Sequence, residues 1–344
     1  MLAILIASAF PALGLTEEPN CEAVFPRVKT NLNETALTKL KMRFPMDEAR
    51  GELPSDSPWG GLTRWMIGQT DSAVIVRKLL ASLLPSVSRD IRRDAKNAAY
   101  KKLWGQAINY DELVHAAIVE PLLVRALAED FKVPLTNNTI VHAGVQHTYG
   151  YLFSVLQTSF GYKRSRWVKG EIETGFDFSA GTLGPFPEGG TLFSNVTYFL
   201  GKIAFKDEPK KLRELEIHAK YVSKNLKAFD FSKVKPLRLK ETVTVSDLRG
   251  QVRTVVIRTD IVPYFTPNGS SRSLLIYSVD DPLHGGSRLI TGFPVAKDPR
   301  AFLNLDAPET ATSLGENRPI ATHYNAFVEG VTNQIVSGRR EISP

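Results

Sequence analysis

Four runs of β-branched and apolar residues, Leu237 to Ser246, Gln251 to Val262, Ser271 to Val279 and Ser287 to Val295, constrain the fold of this chain more than any other feature. Turn-forming residues from Asp247 to Gly250 and a loop from Asp280 to Gly286 punctuate them, so they read as a meander of strands. Helices separate the strand candidates too seldom for a doubly wound sheet, and no fixed-period repeat is visible.

Upstream the period changes. Val74, Val76, Leu79, Leu80 and Leu83 recur at three- and four-residue steps and predict a helix over Ser72 to Leu84. Ser88 or Asp90 can cap a second helix running through Tyr100 and Trp104. Asp111 can cap a third past Leu113, Ile118, Leu122, Leu123 and Leu127, with Pro121 kinking or dividing it. From Ile140 strands are expected. Tyr149 to Gln157 and Tyr162 to Glu173 flank a turn as a hairpin, and Thr191 to Phe205 is a further apolar strand after a Gly- and Pro-rich loop, Ser179 to Gly190. Pro209 to Phe229 and Thr322 to Val336 read as helices. The expected class is therefore α+β, a helical N-terminal half packed on an antiparallel sheet or partial β-barrel formed by the C-terminal half. The expected boundaries are a signal peptide over 1–14, an irregular lead-in over 15–71, a helical region over 72–135 and a β-rich region over 136–344 that shares its core.

The composition, 43% apolar and 23% charged over 344 residues, is that of a globular protein. The first charge is Glu17, and the apolar stretch before it is shorter than the ~20 residues of a membrane-spanning helix. Ala12 and Gly14 supply small residues for a signal-peptidase site, although no Lys or Arg precedes the apolar run. The reading is export: a secreted or periplasmic protein with no transmembrane span in the mature chain. Cys21 is the sole cysteine, which excludes an intramolecular disulfide and a thiolate metal cluster. Asn-X-Ser/Thr sequons occur at Asn33, Asn137, Asn195 and Asn268.

Net charge is +7, and residues 161 to 258 hold its source, 19 Lys and Arg against 11 Asp and Glu. Lysines alternating with Glu214 and Glu216 read as solvated helix faces. Without a recognisable binding module, nucleic acid is disfavoured as a partner. The chain lacks a P-loop, a dinucleotide glycine fingerprint, a His-Glu-X-X-His helix and a G-X-S-X-G elbow, which argues against nucleotide cofactors and ordinary serine esterases.

The densest chemistry lies between Thr139 and Glu173. With a turn centred on Phe160, one hairpin face carries His147, Tyr149, Tyr151 and Phe153 opposite Glu173, Glu171, Lys169 and Trp167. A one-residue slip disperses this group and brings Arg164 and Arg166 to the aromatic face instead. A carboxylate beside an imidazole can fix its tautomer, and a carboxyl against aromatic rings can stay protonated. His147, Glu171 and Glu173, with His142, are accordingly the candidate catalytic groups. Tyr149, Tyr151, Phe153, Arg164, Arg166, Trp167 and Lys169 are the candidate substrate contacts. His142 and His147 are five apart, unsuited to a two-histidine clamp on regular structure unless Gly144 bends the chain, but His147 with the two glutamates can hold a divalent cation. The expectation is a hydrolase or other acid–base enzyme for an anionic or polar substrate. The alternative is a non-catalytic protein with an aromatic-lined cavity for a small molecule, lipid or glycan.

Overall fold

The computed structural model describes residues 63, 66–68, 70–108, 116–135, 140–158, 161–163, 170–179, 181–184, 187, 189–246, 251–281, 286–295, 310–311 and 335–343. Helical periodicity after residue 72 becomes α1 (Ala73–Leu83), which buries Val76 and Leu80. Pro85 opens α2 (Pro85–Asp94), since a proline at the first helical position gives up only an N–H that lacks an intrahelical acceptor. The expected continuous second helix is interrupted at Asn97, whose side chain accepts the Tyr100 N–H and caps the short α3 (Ala98–Lys102). β1 (Gln106–Ile108) follows. Pro121 does not kink a helix but starts one, α4 (Pro121–Phe131), against which α1 and α2 pack.

β2 (Ile140–His142) pairs antiparallel with β1 and runs into α5 (Ala143–His147), followed by a 3-10 turn at Gly150–Phe153. The expected long hairpin is therefore corrected. Among the described residues of that segment only β3 (Gln157–Thr158) and β4 (Gly161–Tyr162) pair, Gln157 opposite Tyr162, one residue off the expected register. Glu171 and Glu173 belong to a short helix, α6 (Glu171–Gly175).

The expected strand from Thr191 is also corrected. It is a helix, α7 (Leu192–Ala204), and all of its residues except Lys202 are buried. A segment apolar on every side shows no period by which a sequence could tell helix from buried strand. The deciding signal is the cap: Thr191 Oγ1 accepts the Ser194 N–H, and Ser194 Oγ accepts the Thr191 N–H. Pro209 to Phe229 divides into α8 (Pro209–Ile217), a 3-10 turn at Ala219–Tyr221, and α9 (Lys224–Ala228) capped by Ser223.

The C-terminal meander forms as expected. β5 (Leu237–Ser246), β6 (Val252–Phe265), β7 (Ser271–Asp281) and β8 (Gly286–Val295) pair antiparallel in succession. β9 (Thr310–Ala311) and β10 (Ile335–Ser343) extend the sheet to the order β8-β7-β6-β5-β10-β9, open rather than closed into a barrel. Ile335 and Val336, expected in a closing helix, belong to β10. Leu274 to Tyr277 are all buried, and successive strand residues face opposite ways, so both faces of the sheet are covered there. α7 lies against β7 and β8. The edge of β8 is covered by the segment after α3: the Leu289 N–H donates to Leu103 O at 2.7 Å and the Gly105 N–H to Leu289 O at 2.8 Å. Helices and sheet thus share one apolar core from Met66 to Val295, the α+β arrangement expected.

Charges tie α7 to the sheet. Arg238 on β5 stands opposite Asp260 on β6, and its Nε donates to Asp260 Oδ1 at 2.7 Å. The same guanidinium reaches Asp207 and the Ala204 carbonyl at the end of α7. Beside it, Arg258 bonds Glu208 and Ser287.

Met1 to Leu15, Cys21, Asn33, Asp111, Leu113, Asn137 and Thr322 to Gln334 lie outside the described residues. Asn195 is buried in α7, and its Nδ2 donates to Thr182 O, a position no glycan can occupy in this fold. Asn268 sits in the exposed turn between β6 and β7. Among the described residues no helix is long and apolar enough to cross a membrane.

Candidate functional site

His142 ends β2 and caps α5. Its Nε2 lies 2.7 Å from Lys101 O, while its Nδ1 accepts the Val145 N–H at 3.4 Å. A carbonyl partner requires a proton on Nε2 and a backbone N–H requires a lone pair on Nδ1, so the ring is the neutral Nε2–H tautomer. Burial pushes its pKa down to about 4, in keeping with that assignment. Both ring nitrogens are occupied by structural work.

His147 closes α5 with its ring against Tyr151, centroids 4.8 Å apart. The buried Lys163 ammonium lies 5.8 Å from the Tyr151 ring and 5.5 Å from that of Phe293. Glu173 is buried, and its Oε1 accepts the Leu183 N–H at 3.1 Å. Glu171 instead accepts from the Tyr264 hydroxyl at 2.7 Å and pairs with Arg272 at 3.4 Å. Two residues apart on a helix, the glutamates point to different sides, so the facing arrangement expected of a hairpin is not formed. Tyr149 and Phe153 are fully buried. Arg164, Arg166, Trp167 and Lys169 lie outside the described residues. No group of three or more His, Cys, Asp or Glu among the described residues is placed to hold a metal ion.

Gly144 does not bend the chain toward a pair of imidazoles. A Cβ there would lie 2.7 Å from a Phe193 ring carbon and 2.8 Å from one of Trp104. Trp104 is itself held by its Nε1 donating to Thr197 Oγ1 at 2.8 Å. Gly144→Ala is expected to lower stability by about 1–3 kcal/mol through overpacking, read as a shifted urea midpoint with unchanged slope.

The Tyr149 hydroxyl instead completes an inward-facing acid site that residue patterns missed. It donates to Asp94 Oδ2 at 2.6 Å, and Thr191 Oγ1 donates to Oδ1 at 2.9 Å. Burial is the main cause that raises the Asp94 pKa to about 7; the two hydroxyls oppose it, Asp90 adds to it and Arg93 lowers it.

α2 thus has a double character: it turns Val87, Ile91, Asp90 and Asp94 inward and leaves Arg89 and Arg92 exposed. The exposed side forms one wall of a cleft of about 1090 Å³. Among the described residues, seven basic side chains line it, Arg89, Arg92, Arg93, Lys96, Lys102, Lys132 and Lys220, against the carboxylates Asp130 and Glu214. Tyr221, 41% exposed, also lines the cleft, with the Arg93 guanidinium 5.2 Å from its ring centre. Arg93 is fixed by donating to Gly190 O at 2.7 Å and pairing with Asp90 at 3.3 Å. Crowding of like charge extends beyond the cleft: burial, then the nearby Lys132, lowers the Lys101 pKa.

A second concavity of about 600 Å³ adjoins the first, since Ile217 and Lys220 line both. Here Phe229 and Phe231 meet edge to face at 4.9 Å, and Glu216 accepts from Tyr198 at 3.2 Å and from Lys202 at 2.7 Å. None of the candidate residues His142, His147, Glu171 and Glu173 lines either concavity.

No protein-family model, curated protein or solved structure matches this chain. The cleft had a sequence signal, because Arg89, Arg92, Arg93 and Lys96 follow the i, i+3, i+4, i+7 spacing of one helix face. Asp90 and Asp94 hide it in any count of net charge.

Proposed function

We propose that this protein binds a polyanionic ligand in the cleft between α2 and the turn at Ala219–Tyr221. The observation that carries the reading is seven basic side chains against two carboxylates, among the described residues, around one open concavity. Cations converging in a cleft reinforce one another's potential, which raises the local concentration of anions and speeds their capture. At about 1090 Å³ the cleft exceeds a typical small-molecule site of roughly 300–1,000 Å³, which suits several repeats of a polymer. The hydrolase expectation built on His147 and Glu173 has less support, because both are buried away from the clefts.

Titration with fluorescent inorganic polyphosphate tests this reading. Affinity is expected to fall at least about tenfold between roughly 50 and 200 mM salt, as counterion release requires. Arg92→Glu combined with Lys96→Glu should weaken binding by about tenfold or more at the lower salt. Lys78→Glu, exposed on α1 and outside both concavities, should leave it unchanged. No binding at low salt, or equal losses from both variants, would refute the assignment.

A further inference from the structure

We propose that the polyanion is a single-stranded nucleic acid whose phosphates follow the basic cleft and whose bases stack on Tyr221. This rests on the polyanion-binding reading and adds the chemical class of the ligand. The two concavities share Ile217 and Lys220 in their linings but differ in chemistry. In the cleft cations dominate. In the pocket Lys202, Lys220 and Lys227 stand against Glu216 and Asp230, and the lining is mostly polar.

A polyphosphate or a sulfated glycan carries its charge throughout and has no flat aromatic ring to lay on Tyr221. A nucleotide has both features: its phosphate suits the cations of the cleft, and its uncharged base offers a π-face to the Tyr221 ring. Tyr221 lines the cleft among its cations. Its ring is 41% exposed, with the Arg93 guanidinium 5.2 Å and the Lys220 ammonium 5.6 Å from its centre. An exposed ring flanked by cations is a stacking platform beside phosphate contacts, which single strands use and duplexes with inward-stacked bases do not. A lipid surface is flat and meets a concave cleft only at its rims.

Fluorescent oligothymidylate and oligouridylate, titrated beside inorganic polyphosphate, heparin and duplex DNA, test the assignment. At least one single strand should bind more tightly than the duplex and the polyphosphate. Tyr221→Ala should lower that affinity about tenfold while leaving polyphosphate affinity within about twofold, the signature of lost stacking without lost charge. An unchanged thermal midpoint of Tyr221→Ala certifies the fold. Equal losses for oligonucleotide and polyphosphate, no loss for either, or duplex binding as tight as single-strand binding would overturn the proposal. So would heparin binding with the same Tyr221 dependence, which would assign a sulfated glycan. If polyphosphate also fails to bind, the broader polyanion reading falls with it; if polyphosphate binds without any base-dependent signal, only this inference falls.

Discussion

Asp260→Ala is expected to destabilise the protein by roughly 3–5 kcal/mol, the cost of leaving one member of a buried ion pair behind. Asp260 is fully buried, and its Oδ1 holds Arg238 Nε at 2.7 Å across neighbouring strands. Burial is the largest influence on this carboxyl and pushes its pKa up, while Arg238 pulls it back. Removing Asp260 leaves the guanidinium with Asp207 and the Ala204 carbonyl, which places the effect toward the lower end of that range. Urea unfolding near neutral pH measures it. The double variant Arg238→Met with Asp260→Leu should lose less than the single one, because an apolar pair leaves no uncompensated charge in the sheet. A single variant within about 1 kcal/mol of the parent would show that the pair adds little to the joining of β5 and β6.

Asp94→Asn is expected to gain stability relative to the parent as pH rises, by up to roughly 4 kcal/mol between pH 4 and pH 8. The sign follows from linkage. The Asp94 pKa is raised from 3.8 to about 7 on folding. Between those values the folded state therefore holds a proton that the unfolded chain has released, and stability falls as pH climbs through that window, with the loss complete above about pH 7. Asparagine is neutral throughout. Its Oδ1 can accept from one of the two hydroxyls and its Nδ2 can donate to the other, so Tyr149 and Thr191 keep partners. The parent's own pH profile mixes this trend with an opposite one: the His142 pKa is lowered from 6.5 to about 4, so that group loses stability as pH falls through the same range. The difference between parent and Asp94→Asn urea midpoints, taken at several pH values, isolates the carboxyl. A difference that stays flat from pH 4 to pH 8 would rule out a protonated Asp94 in the folded protein.

How much of this was readable in the residues depended on whether a local pattern had one solution. The strands from Leu237 to Val295 were legible because β-branched runs interrupted by turn residues leave few alternatives, and antiparallel pairing follows from short connections. α1 was legible from its 3.6-residue period. Thr191 to Phe205 was misread because a fully buried helix shows no polar face, and the Thr191–Ser194 cap was the one signal that distinguished it. The region from Ala143 to Phe153 was misread for a different reason. Its aromatic residues suit a strand by propensity, yet the His142 side chain caps a helix there, and Gly144 lets that helix approach Trp104 and Phe193.

By itself, the sequence determined the α+β class, the antiparallel meander and the reliance on a core rather than disulfides, because each follows from interactions between near neighbours or from simple counts. Only the tertiary structure decided which polar groups face each other. It turned His142, Tyr149 and Glu173 inward to structural partners and sorted α2 so that Asp94 is buried while Arg89 and Arg92 line a cleft. Lys132 and Lys220, 88 residues apart in the chain, reach the same cleft from separate elements. The physical reason is that charge acts through space: the spacing of Arg89, Arg92, Arg93 and Lys96 marks one wall, but nothing in the chain links that wall to Lys132 and Lys220.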